Sequence, residues 1–342
     1  MARIRTEPED FRVEELPLYS PSGEGEHTFV RVEKRLVTTE EVANALARAA
    51  GVGARDVGYA GRKDRIAVAT QWFSVPRLDP KQALNLRLEG IRVLEAVAHG
   101  HKLRTGQLRG NRFEIAVRGV DDTAREAARA RFDEIARVGM ANPFGPQRFG
   151  RAGRNVEMGA RLLRGEVTWK DRRKARFAVS ALQSAVFNDV LDARPTGIGE
   201  LEFGDVAVLH GSGGQFLIED VEQEQPRAVA FEISPTGPIF GTRVIEPAGE
   251  VALREKAALA LHGIGLTDLR PPRGIRLRGA RRALRVRPDN ARMRDFPGGF
   301  WLDFELPPGS YATVLIRTVL DEEPEVGPQA IVGDMQPQPA LS

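Results

Sequence analysis

The sequence contains no cysteine. That excludes disulfides, thiolate metal sites and a cysteine nucleophile. It is short of lysine as well, because arginine supplies 43 of the 50 basic residues. Long apolar runs are missing: no stretch approaches the ~18 residues of a membrane span, and the opening "MARIRTEPEDFRVEEL" has no apolar signal core. There is no GxxxxGK[ST] and no strand–GxGxxG–helix unit, so a nucleotide cofactor is not expected. Internal repeats and low-complexity domains are absent too. What remains is the expectation of a soluble, cytoplasmic protein.

At 342 residues, two domains are the default, given roughly 150 residues per domain. Formal net charge is only +3, yet the pI is about 9.4. Arginine forks onto phosphates and stacks on bases better than lysine does. An anionic partner is one source of that bias, and an arginine-heavy genome is another.

Hydrophobic periodicity organises the chain. "HTFVRVEKR" alternates as a strand. Thr38 and Glu41 form a capping-box pattern ahead of a helix stopped by Gly51. "GYAGRKDRIAVATQWFSV" reads as a turn and then a strand, and "NRFEIAVRGV" as another strand. "DDTAREAARARFDEIARVG" reads as a helix closed by Gly139. The middle changes character: a long helix, "RRKARFAVSALQSAVFNDVLDAR", precedes Gly-rich short strands, "GELEFGDVAVLHGSGGQFLIEDV" and "AVAFEISPTGPIFG". A helix over "GEVALREKAALALHGIG" follows. Strand alternation resumes near residue 281, where Phe300, Leu302, Phe304 and Leu306 share a face. Ser310 is the expected N-cap of a helix from Tyr311 to about Leu320. The Pro- and Gln-rich tail after Glu323 is expected to fray.

Three stretches carry possible chemistry. In the first, Asp64 lies among Arg62, Lys63 and Arg65. Cations favour the ionised form of a carboxylate, and an ionised acid in a partly desolvated site can be a nucleophile or an electrostatic stabiliser. A turn aspartate in a surface salt bridge would look the same. In the second, "NPFGPQRFGR" packs Asn142, Phe144, Gln147, Arg148 and Phe149 into ten residues with no regular period. Rings beside arginine suit unstacked bases; the same rings could instead plug the core. The third is cationic. Lys102, Arg104, Arg109 and Arg112 sit in a Gly-punctuated loop, and eight arginines fall between Arg270 and Arg287. Both stretches suit a phosphate backbone, although either alone could be a solvated face. His99-x-His101 has no nearby carboxylate or cysteine to complete a metal site, so none is expected.

Taken in order, "EDFRVEEL", "GEGEHTFVRVEK", "GYAGRKDRIAVATQWFSV", "LRGNRFEI", "NPFGPQRFGR", "ALQSAVFNDVL", "PTGPIFG" and "LPPGSYATVLIRTVL" resemble the TruD family of tRNA pseudouridine synthases in its bacterial-length form. The resemblance covers most of the chain. It implies an α+β pseudouridine-synthase catalytic domain with a mixed, mostly antiparallel sheet, interrupted by an inserted α/β TRUD domain. The expected boundaries are 1–164 and 283–342 for the catalytic domain and 165–282 for the insertion. It implies Asp64 as catalytic carboxylate and Phe11, Asn142, Phe144 and Tyr311 as substrate contacts, with Lys63, Gln147, Arg148 and Arg317 in support. Arg317 is the expected cation partner of Asp64. Lys102, Arg104 and Arg109 are expected on the RNA backbone. The implied reaction isomerises a tRNA uridine, at position 13, without cofactor or metal. The partner is tRNA, no membrane is involved, and monomer is the default state. Two alternatives stand beside this reading: a non-catalytic RNA-binding module or tRNA folding chaperone, and a metal-dependent nuclease using Asp64 with Asp56 or Glu114.

Overall fold

The computed structural model describes residues 1–265, 271 and 274–327. Its strands are β1 (Arg3–Ile4), β2 (Phe11–Pro17), β3 (His27–Arg35), β4 (Gly58–Tyr59), β5 (Val68–Pro76), β6 (Ile91–His99), β7 (Leu108–Arg118), β8 (Met140–Ala141), β9 (Val206–Leu209), β10 (Gln215–Leu217), β11 (Ile233–Ile239), β12 (Ala280–Ala283), β13 (Arg285–Val286), β14 (Asp289–Phe296), β15 (Gly299–Leu306) and β16 (Glu325–Val326). The helices are α1 (Thr39–Ala50), α2 (Pro80–Leu84), α3 (Asp122–Val138), α4 (Arg154–Leu163), α5 (Arg172–Asp192), α6 (Val221–Val229), α7 (Gly249–Leu261) and α8 (Ala312–Leu320).

The main sheet runs β14-β15-β7-β2-β5-β3-β6, with β1, β4 and β16 attached at its margins. Within that run only β2 and β5 are parallel, with Arg12 opposite Val68. Two consequences follow from this register. The starts of β2 and β5 lie side by side, and the end of β3 joins them, because Lys34 stands opposite Ala69. Alternation then decides the faces. Phe11 and Val13 of β2, Phe113, Ile115 and Val117 of β7, and Phe300, Leu302 and Phe304 of β15 point into one core, which α3 and α8 cover through Phe132, Ile135, Leu315, Ile316 and Val319. Val30, Val32, Phe73 and Val75 form a second core under α1.

A four-stranded sheet, β10-β9-β11-β12, accompanies α5. Around α5, Ala178, Val179, Leu182 and Val186 pack with Leu162 and Leu163 of α4 and with Ala258 and Leu259 of α7. The contact with α4 is close because residue 159 is glycine: a Cβ there would meet the Ala178 carbonyl oxygen at 2.3 Å.

Local expectations fare unevenly. The Thr38–Glu41 capping box forms, and Gly51 closes α1 in the left-handed region at φ 65°. Ser310 is not the N-cap of the last helix. Tyr311 holds that position without a side-chain cap bond, while the Ser310 hydroxyl turns to Asn142 Oδ1 at 3.3 Å. The tail does not fray directly after Glu323: Glu325 and Val326 pair with Arg3 and Ile4. Residues 328–342 lie outside the described residues. α4 and α6 were not expected. Pro226 lies inside α6, and α6 runs into the stretch read as "AVAFEISPTGPIFG", whose strand begins only at Ile233.

Candidate active site

Asp64 lies in the segment between β4 and β5, where β2, β3 and β5 come together. Its carboxylate is about a third exposed, and the Arg5 guanidinium donates to Oδ2 at 2.7 Å. Arg5 precedes β2 and adopts φ 55°, in the left-handed region. Its guanidinium lies 4.2 Å from the centroid of the Phe11 ring. Phe11 is itself only 3% exposed, so the ring serves as a platform that fixes the cation.

The cations next to Asp64 in sequence point elsewhere. Arg62 pairs with Glu40 at 2.5 Å, and Arg65 Nε donates to the Leu36 carbonyl at 3.0 Å. Lys63 Nζ meets buried Glu15 at 2.8 Å, and Glu15 also accepts from the Trp72 amide. Beneath the loop, fully buried Lys34 donates to the main-chain oxygen of Asp64 at 2.6 Å and to that of Val37 at 2.8 Å. Burial pushes its ammonium down to about 8, and the nearby Asp64 charge opposes that fall. Among the described contacts Arg317 does not pair with Asp64: it lies in the last turn of α8 and faces Glu323 at 3.9 Å. Sequence reasoning missed Arg5 and Lys34. The only signal for either was its place in a matching motif or beside one, since their partners lie 59 and 30 residues away.

A second group forms around the loop after β8. Asn188 of α5 brackets Phe144, its Oδ1 accepting from the Phe144 amide at 2.8 Å and its Nδ2 donating to the carbonyl at 3.0 Å. Phe144 is half-buried. One edge meets Phe187, with centroids 5.4 Å apart, and Tyr311 approaches it in a T-shaped arrangement at 6.4 Å. Gly145 makes room for Tyr311, since a Cβ would sit 3.4 Å from its ring. The Asn142 amide is held on both sides: Nδ2 donates to the Ala283 carbonyl at 3.0 Å, and Oδ1 accepts from Arg282 at 2.5 Å. Gln147 is exposed. The core supplies the link between the two groups, because Phe11 and Tyr311 pack against one apolar cluster.

The cationic stretches are less uniform than their sequences. Arg104 is exposed, whereas Arg109 and Arg112 lean on Glu305 at 3.7 and 2.7 Å. Lys102 donates to the Arg55 carbonyl. Arg270 and Arg273 lie outside the described residues. Arg276 and Arg278 are exposed; Arg281 turns inward to Glu255 at 2.7 Å, and Arg285 to the Ser234 hydroxyl at 2.8 Å. No described helix is long and apolar enough to cross a membrane.

The mixed sheet carries a guanidinium-clamped carboxylate, and a loop of half-buried rings and arginines packs against the same apolar core. Comparison with known proteins gives the family. The family model described as tRNA pseudouridine synthase D (TruD) matches residues 1–169 and 171–319. A tRNA pseudouridine synthase D of Anaeromyxobacter sp. (strain Fw109-5) is 44% identical over 325 residues, covering 93% of this chain and 92% of that protein. One from Thermus thermophilus is 42% identical over 323 residues, covering 94% and 89%. A crystal structure described as TruD from Methanosarcina mazei superposes with a TM-score of 0.74 at 21% identity, over 96% of this chain and 94% of that one, which supports the fold. The chain belongs to the TruD family. It is therefore an enzyme of the isomerase class, and the reading as a non-catalytic module is set aside.

Proposed function

We propose that this protein converts a uridine of tRNA, at position 13, to pseudouridine in the cytoplasm, with Asp64 as the catalytic carboxylate. One observation supports this above the others: the Asp64 carboxylate is partly open to solvent while a buried, ring-stacked guanidinium holds one of its oxygens. The clamp orients the acid, and the open side leaves it able to reach a sugar.

The reaction breaks the N1–C1′ bond of uridine, turns the uracil and joins C5 to C1′. C5 loses its proton and N1 gains one, so oxidation state is unchanged. An ionised Asp64 serves either of two routes. It can attack C1′ as a retaining glycosidase carboxylate does, or remove a sugar proton and leave a glycal-like intermediate. The target base must first leave its stack, at a cost of a few kcal/mol. Phe144 and Tyr311 are placed to recover part of that by contact with the base, at roughly 1–3 kcal/mol per stacked base. Phe11 and Asn142 then act from beneath, one carrying Arg5 and the other fixing the loop. Segment 165–282 is read as the inserted domain, with the tRNA held between it and the remainder. Lys102, Arg104 and Arg109 are read as backbone contacts.

Tritium release from C5-labelled tRNA in the presence of EDTA tests the assignment. Wild-type enzyme should release label, and Asp64→Asn should not, while its tRNA affinity and melting temperature stay near wild type. An Asn variant keeping a tenth of wild-type turnover would remove Asp64 from the chemistry. Metal-dependent RNA cutting would point instead to the nuclease reading.

A further inference from the structure

Two guanidinium groups lie against the Phe144 ring, and neither faces a carboxylate among the described residues. The Arg148 Cζ lies 4.9 Å from the ring centroid and the Arg282 Cζ 4.2 Å from it. Arg148 spends its donors on hydroxyls, Nε on Ser184 Oγ at 2.5 Å and Nη2 on Ser180 Oγ at 2.6 Å. Arg282 uses Nε and Nη2 on the Asn142 carbonyl at 3.2 and 3.1 Å, and Nη2 again on Asn142 Oδ1 and on the Gly309 carbonyl at 2.9 Å. All of these acceptors are neutral. Arg282 Nη1 makes no hydrogen bond among the described residues.

Other arginines in the interior are treated differently. Arg194 pairs with Asp205 at 2.7 Å and Arg281 with Glu255 at 2.7 Å. Arg285 meets no acid among the described residues either, but it places Nε, Nη1 and Nη2 all on internal oxygens. Burial lowers the pKa of Arg148 and takes that of Arg282 down to about 10, and the Arg148 charge adds to the fall at Arg282. Two like charges held against one ring, with no carboxylate partner among the described residues, are costly, and an anion arriving beside them relieves both.

We propose that Arg148 and Arg282 seat a phosphodiester of the RNA substrate adjacent to the target uridine. The inference rests on the reading of Phe144 as a ring that meets the unstacked base. A base against that ring brings its own backbone to the two guanidinium groups, and Arg282 Nη1 is the donor left for it. The seat fixes where along the strand the enzyme stops, while the more distant cations supply grip.

The test is a cycle of neutral linkages against neutral side chains. A tRNA-derived stem-loop carries a single methylphosphonate on either the 5′ or the 3′ side of the target uridine, and kcat/KM and Kd are measured with the full chain. Wild-type enzyme should lose about 10–100-fold on one of the two substituted RNAs, as loss of a charge-assisted contact implies. Arg148→Gln and Arg282→Gln should lose a comparable factor on all-phosphate RNA and lose no further on the sensitive methylphosphonate. Arg282→Lys keeps the charge but not the fork onto Asn142 and Gly309, and should retain the methylphosphonate penalty. Wild-type indifference to both linkages would overturn the seat. So would a full methylphosphonate penalty in Arg148→Gln or Arg282→Gln, because the arginines would then be ties between loops and nothing more. If Arg282→Gln fails to fold, wild type and Arg148→Gln still decide the matter. Asp64→Asn turnover reports separately: an active Asn variant removes the catalytic assignment without touching the linkage cycle.

Discussion

At the scale of single residues, the site turns on which cation reaches Asp64. Arg5→Gln is expected to lower kcat on the order of 100-fold, the usual loss for one preorganised electrostatic contact, with KM for tRNA little changed. Arg5→Lys should recover much of that, whereas Arg317→Gln should stay within about twofold of wild type, the scatter expected of an exposed rim charge. Equal losses in Arg5→Gln and Arg317→Gln would reverse the assignment. Lys34 makes a different prediction. Its folded pKa, about 8, lies below the ordinary 10.5. Between those values the unfolded chain binds the proton and the folded chain does not, so this lysine's contribution to stability rises as pH climbs from about 8 toward 10.5. Across that window wild type should gain up to about 3 kcal/mol relative to Lys34→Met in denaturant titrations. A constant difference across the window would mean Lys34 is not held in a desolvated site. The sequence showed Asp64 and its three cationic neighbours, but pairing is a property of the folded register. Arg62, Lys63 and Arg65 found Glu40, Glu15 and a carbonyl, and the cation for Asp64 came from before β2.

At the scale of elements, regular alternation was legible and aperiodic packing was not. β3, β7 and β15 follow the strand patterns, and α1 and α3 their caps, because period and capping are local signals. α4 escaped notice because it begins directly after an aperiodic loop broken by Gly145, Gly150 and Gly153. Ser310 looked like a cap because serine usually is one, but Asn142 competes for its hydroxyl. The close approach of α4 to α5 gives a sharp test. Gly159→Ala would push a methyl group against the Ala178 carbonyl and should destabilise the protein by about 1–3 kcal/mol in urea melts. A neutral result would mean the two helices are not packed at this distance. The loop from Asn142 to Arg148 is fastened to α5 by Asn188, Ser180 and Ser184, so Asn188→Ala should impair turnover more than it impairs tRNA affinity.

At the scale of the whole molecule, the residues read as chemistry all lie outside 165–282, yet their supports come from inside it: Asn188 holds Phe144, and Arg282 holds Asn142. Replacing 165–282 with a short linker should therefore lower kcat as well as raise KM. An excised variant with unchanged KM would remove the insertion from substrate holding altogether. Affinity for tRNA should fall as salt rises, through counterion release. The cluster at the start of α5, Arg172, Arg173, Lys174 and Arg176, is exposed and stands where the helix dipole disfavours cations. Reversing those charges should flatten the salt slope more than reversing Arg109, which already leans on Glu305.

The pairing of β1 with β16 reaches further than its two residues a side suggest. Glu325 donates its amide to the Ala2 carbonyl at 2.9 Å, and Gly327 to that of Ile4 at 3.1 Å, so the strand next to Arg5 is closed by a segment made more than three hundred residues later. A Cβ at residue 327 would strike the Arg5 carbonyl at 2.4 Å. On the ribosome, then, the residues just before Arg5 must wait for residues 325–327 before this pairing can form. A chain ended just before Glu325 would lack both of these hydrogen bonds, and on the proposed role of Asp64 it should turn over more slowly than the full chain in the tritium-release assay.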